Sequence, residues 1–272
     1  MFALKRFYAE GTPGPGLLVI EGAVAAVMGT AFGYWLFPKE VSLVCVFLAS
    51  IASADSAERL LAWNRRAIFD EGWAPRRANL RLTALILAMF AGCVLGFSAL
   101  VFAVPLELAE TVFSHQLEDY GDATFATLQF GNMGSLFLAN LYVLLFFFVI
   151  AMPFRQGGVM LAVAWNASVW GATFGVLARR WSESDGPHLA EAYVRVIAAV
   201  TPHMALEAFA YVLAGFAGVF LSKGLEKYDM ESDVLLSILQ SVAGMLGFAL
   251  ICIFAGALWE GSVAGQLVQW LS

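Results

Sequence analysis

Charge is what this chain is short of. Only 13% of its 272 residues are Asp, Glu, Lys or Arg, against about 25% in soluble domains. Hydrophobic residues make up 61% and mean hydropathy is +0.78, which excludes a soluble globular domain and indicates a membrane protein. The basic side is the poorer one, with 15 Lys and Arg against 21 Asp and Glu and a net charge of -6. No basic run is interleaved with aromatics, so a nucleic-acid partner is excluded. Cysteine is scarce too. Cys45, Cys93 and Cys252 each sit in an apolar run without CxxC or CxxH spacing, and read as small buried hydrophobes rather than ligands. HExxH, GxSxG, a Walker A loop and paired aspartates within a span are all missing. Intramembrane proteolysis and ATP hydrolysis lose their usual support, and neither an enzyme nor a cofactor is expected.

Long hydrophobic runs are abundant. Leu17 to Phe37 has the roughly 20 residues needed to cross a bilayer, with Tyr34 and Trp35 at its exit interface. Val41 to Ala52 is too short to span alone. It continues without Gly or Pro into ADSAERLLAWNRRAIF, which predicts one long helix that crosses and projects, its end either a solvated loop helix or lying amphipathically near the headgroups or against a neighbour. Leu82 to Val104, Gly134 to Phe154, Gly157 to Leu177, Val200 to Ser222 and Val234 to Leu258 follow. His188 to Val200 reads as a separate interfacial amphipathic helix, and Thr201 and Pro202 as the N-cap and first turn of the next span. The expectation is an all-α polytopic transmembrane helix bundle of six or seven spans with interfacial helices. Residues 1–81 form an N-terminal hairpin with a basic helix, and 82–272 the core.

The loops orient the chain. Arg59, Arg65, Arg66, Arg76, Arg77 and Arg81 lie between the second and third runs, whereas Pro105 to Gly131 holds five acids and no Lys or Arg. By the positive-inside rule the first loop is cytoplasmic and the second external, with a helix on the outer surface read from Leu106, Leu108, Val112 and Phe113. A cytoplasmic N-terminus of a multi-pass inner-membrane protein places eleven of the fifteen basic residues inside. Arg179 and Arg180 then fall outside, a conflict that a re-entrant 157–177 segment, buried in protein, would remove.

Ionisable groups inside spans are functional candidates because of their cost in hydrocarbon. Here they are Glu21, His203 and Glu207. His203 and Glu207 are four apart, so they share a helix face. Below them run Ala210, Ala214 and Gly218, with Gly215 beside, a small-residue ladder that admits a second helix. Gly171 plays the same part in the fifth run. Three readings stay open for the pair: hydrogen bonds across helices, a transport, proton-relay or docking role, and a metal site, for which two ligands are too few. Asn132, Asn140 and Asn166 are amides in or near spans, suited to interhelical hydrogen bonds. The ladder also allows a homo-oligomer.

TPHMALEAFAYVLAGFAG, residues 201–218, resembles the proline-histidine, glutamate, alanine-glycine signature of the stage II sporulation protein M family. GNMGSLFLANL (131–141) and AWNASVWGATFGVL (164–177) are similar to its asparagine-bearing segments. The resemblance covers roughly residues 78–222 and implies an integral membrane scaffold that recruits envelope proteins. The alternative is a transporter or permease subunit with His203 and Glu207 in an intramembrane polar site. Expected partners are the lipid bilayer and other membrane or envelope proteins.

Overall fold

In hydrocarbon every backbone N–H and C=O must be paired within its own segment, and each of the seven apolar runs accordingly forms a helix. The structure is a computed structural model describing residues 14–118, 132–184, 186–264 and 266. The helices are α1 (Pro15–Leu36), α2 (Val41–Phe69), α3 (Pro75–Ala103), α4 (Leu106–Val112), α5 (Ser114–Leu117), α6 (Met133–Phe154), α7 (Gln156–Glu183), α8 (Leu189–Lys227) and α9 (Asp233–Trp259), the last running into a π-helical turn, Glu260–Ala264. Seven of them are long and apolar enough to cross a membrane. This is an all-α, multi-pass membrane bundle. Lys5, Arg6, the rest of the acidic loop beyond Glu118, and Trp270 lie outside the described residues.

α1 packs lengthwise on α3, across the boundary at residue 81, and also on α2. α7 fills the middle against α2, α3 and α8, while α6 and α9 flank the second half of α8. Small residues set these distances. Gly22 lies on the backbone of Met89 and Cys93, Gly92 on that of Val19, and Gly171 on Val94 and Phe97. Ser98 Oγ closes the α3–α7 contact by donating to the Gly171 carbonyl at 3.0 Å. The projecting end of α2 packs on its neighbour: Leu60, Trp63 and Ala67 are buried, and Asn64 Nδ2 donates to Asn79 Oδ1 of α3 at 2.9 Å.

Two expectations change. The chain does not restart at Thr201 and Pro202: α8 runs unbroken for 39 residues from an N-cap at His188, about 58 Å at roughly 1.5 Å per residue. Proline removes one helical donor, a loss that neighbouring Ser or Thr hydroxyls offset within membranes. Thr201 Oγ1 donates to the Ile197 carbonyl at 2.6 Å in that turn. The separate amphipathic helix is therefore the first third of α8, its Ala192, Val196 and Ala199 packed on Phe174, Leu177 and Trp181 of α7. Nor is 157–177 re-entrant, since α7 is one continuous 28-residue helix. The charges that motivated a break are consumed locally. Arg179 Nη1 donates to the carbonyls of Val101 (2.8 Å) and Val104 (2.5 Å), capping the end of α3, and Arg180 binds Glu110 through Nε at 3.0 Å and Nη2 at 2.8 Å.

The segment after Pro105 forms the expected surface element at the end of the bundle: Glu107, Thr111 and His115 of α4 and α5 are exposed, while Ala109, Phe113 and Gln116 are buried on their inner face. Gln116 Nε2 donates to the Ser42 carbonyl (2.9 Å) and to Ser168 Oγ (3.2 Å), its Oε1 accepts from Ser42 Oγ (2.5 Å), and its carbonyl accepts from Thr173 Oγ1 (3.2 Å). One amide thus ties α5 to α2 and α7. Gln116→Leu is expected to destabilise the protein by about 1–3 kcal/mol, the cost of stranding buried polar partners. Unfolding in detergent measures it, and an unchanged midpoint would remove the Gln116 amide from the account of stability.

Candidate functional site

α8 carries the polar centre. His203 and Glu207 are both buried on one face of it, 5% and 8% exposed. Glu207 Oε1 accepts from Asn140 Nδ2 of α6 at 2.6 Å, and Asn140 Oδ1 accepts from the Tyr211 hydroxyl at 2.8 Å. The result is a chain from Tyr211 through Asn140 to Glu207 that crosses from α8 to α6 and back. Asn140 suits the middle position because its amide offers a donor and an acceptor at once. A buried carboxyl without a donor is costly, and here one is supplied.

α9 closes the third side. Gly256 faces Glu207 and the His203 carbonyl across this contact, where an added methyl would lie 3.4 Å from each, in ordinary van der Waals contact. The π-helical turn that follows packs on α6 and α8. It sets the half-buried Glu260 within electrostatic reach of Glu207 and Tyr211. Turns of this kind recur at functional sites. Leu144, Phe147, Ala249, Cys252 and Ile253 form the apolar wrapping. The gap between Tyr211 and Asn166, walled by Phe90, Ala162 and Ala208, is too narrow for water.

The remaining sequence candidates separate. Asn166 is buried on α7, its Nδ2 donating to the Ala162 carbonyl at 2.8 Å in its own helix. Asn132 caps α6, its Oδ1 accepting from the Ser135 N–H at 3.0 Å. Glu21 stands half-buried on α1, away from the three helices of the site. The small-residue ladder is occupied within the chain: Gly218 meets Phe148 and Ala151 of α6, Gly215 meets Val159 of α7, and Ala210 and Ala214 are fully buried. This face is therefore occupied by the chain's own helices.

Two participants escape the sequence reading. Tyr211 lies four residues beyond Glu207, and continuing the spacing of His203 and Glu207 by one more turn would have found it. Glu260 reads as an interface residue in the tail, and no local pattern announces a π-helical turn. Among the described residues no three His, Cys, Asp or Glu side chains converge as metal ligands. Compared with protein-family models, curated proteins and solved structures, the chain matches none.

Proposed function

We propose that the chain is a scaffold of the cytoplasmic membrane that positions partner proteins in the cell envelope, with its N-terminus and the arginine-bearing α2–α3 turn inside the cell. The observation that carries this reading is the closure of Glu207, which is buried and hydrogen-bonded by Asn140 of another helix. A buried carboxyl that accepts from an amide on another helix locks helices together rather than exchanging with a solute. The resemblance of residues 201–218 to the sporulation protein M family supports the same function.

α6 offers the partner face. Its Leu144, Phe147 and Ala151 are buried, while Leu138, Tyr142 and Val149 point outward, Tyr142 at 73% exposure near the middle of the helix. A phenol hydroxyl at that level is poorly served by lipid tails and well served by an acceptor on a neighbouring helix. A photo-crosslinking amino acid at Tyr142 is expected to give discrete protein adducts in native membranes, with lipid adducts only at Ile20 of α1, itself exposed. Lipid adducts alone at Tyr142 would overturn the partner face.

The rival reading, a transporter subunit, draws on Glu260, a second, half-buried carboxyl directly after α9 within electrostatic reach of Glu207. Reconstituted vesicles separate the two. Ion or proton flux that disappears in Glu207→Gln would replace the scaffold by a transporter.

A further inference from the structure

We propose that the turn joining α2 and α3 binds the phosphate headgroup of anionic phospholipids. Its tip is built by Gly72, whose φ of 71° is a left-handed conformation suited to glycine, and by the Trp73 N–H donating to the Ala67 carbonyl at 2.8 Å. This bond folds Trp73 back so that its ring meets Trp63 edge to face at 5.7 Å. Arg77 then lies over Trp73 at 4.4 Å, and Arg81, one turn on, over Trp63 at 5.5 Å. The exposed Arg77 guanidinium is thus held over an aromatic ring, and a planar guanidinium fixed in place can grip a phosphate through two parallel N–H groups.

The local electrostatics ask for an anion. Arg76 and Arg77 occupy the first turn of α3, where the helix dipole disfavours cations, and neither an acidic residue nor a side-chain cap offsets them there. Arg65 and Arg66 are exposed at the end of α2, on the helix that the Asn64–Asn79 bond fixes to α3. Asp55 is taken up by Arg59 on the same helix, leaving Glu58, Asp70 and Glu71 as the acids of this stretch. Beneath the stack, Trp63 is 1% exposed, and its indole N–H has no acceptor among the described residues.

Position selects the source of the phosphate. The apolar run of α3 begins at Leu82, directly after these arginines, so the site lies where a span leaves the bilayer. Phe69 and Leu80, 79% and 53% exposed, provide apolar surface at the same end. Juxtamembrane arginine clusters of this kind recognise anionic lipid, each residue contributing about a fivefold preference. The inference does not depend on whether the chain is a scaffold or a transporter.

The test is native mass spectrometry of the purified full chain with phosphatidylglycerol or with phosphatidylcholine of identical acyl chains. At least about a fivefold preference for phosphatidylglycerol is expected, lost in R76Q/R77Q and retained in K223Q/K227Q, which removes equal charge from the end of α8. Both arginines are exposed, so the variant should stay folded; if it does not, R77Q alone carries the same expectation. Equal retention of the two lipids, a preference that survives R76Q/R77Q, or an equal loss in K223Q/K227Q would overturn the proposal. Displacement of the lipid by millimolar inorganic phosphate would overturn it in favour of a free-anion site.

Discussion

Gly92→Leu is expected to leave no monodisperse folded protein. Gly92 on α3 faces the backbone of Val19, and on the same seam Gly22 of α1 faces the backbone of Met89 and Cys93. Gly96 extends the contact, since a methyl there would lie 2.7 Å from the Ala23 carbonyl oxygen. These are backbone neighbours, so no rotamer change relieves the collision and α1 must move off α3 as a unit. Overpacking ordinarily costs about 1–3 kcal/mol when side chains can yield; the loss here should exceed that range. Size-exclusion profiles in detergent after mild heating measure it. Gly244→Ala on α9 is the matched control: nothing stands within 4 Å of its added methyl, and it is expected to stabilise by up to about 1 kcal/mol through helix propensity. A Gly92→Leu protein that elutes and melts like the parent would mean that the α1–α3 seam does not hold the bundle.

The spans were legible because a bilayer imposes one requirement, a run of apolar residues long enough to cross, and the runs beginning at Leu17, Leu82 and Val234 meet it without help from tertiary structure. The continuity of α2 was legible for the same reason, no Gly or Pro intervening before Gly72. Pro202 misled because a proline at the head of a helix and one inside a membrane helix leave similar local sequence. What distinguishes them is the packing of Ala192 and Val196 on α7, a nonlocal fact. Gln116 was silent for a comparable reason: an amide in an acidic loop looks solvated until Ser42 and Ser168, 74 and 52 residues away, come to meet it. Within the site, His203 and Glu207 were announced by their cost in hydrocarbon and Asn140 by its place in a span. Their pairing across 67 residues was not, and Glu260 depends on a backbone irregularity.

The strongest energetic statement about the site is a predicted failure of additivity. Asn140→Leu removes the only described donor to Glu207 and the acceptor of the Tyr211 hydroxyl. Two buried groups are stranded, at about 1–3 kcal/mol each. Glu207→Leu strands the Asn140 amide alone and should cost less. In N140L/E207L a single stranded hydroxyl remains, so the double variant is expected to be more stable than the sum of the singles predicts, by at least about 1 kcal/mol. Adding Tyr211→Phe removes that last group and should restore part of the remaining loss. Glu207→Gln keeps an acceptor oxygen for Asn140 and is expected to change stability little. Unfolding midpoints in one detergent give the whole cycle. Strict additivity would mean that Tyr211, Asn140 and Glu207 do not act as one unit, and the helices α6 and α8 would then be held by apolar packing around Leu144 and Phe147 alone. Photo-crosslinking at Tyr142 on these same variants links the network to the proposed scaffold: adducts should weaken with Asn140→Leu, which loosens α6, and persist in Glu207→Gln, which does not.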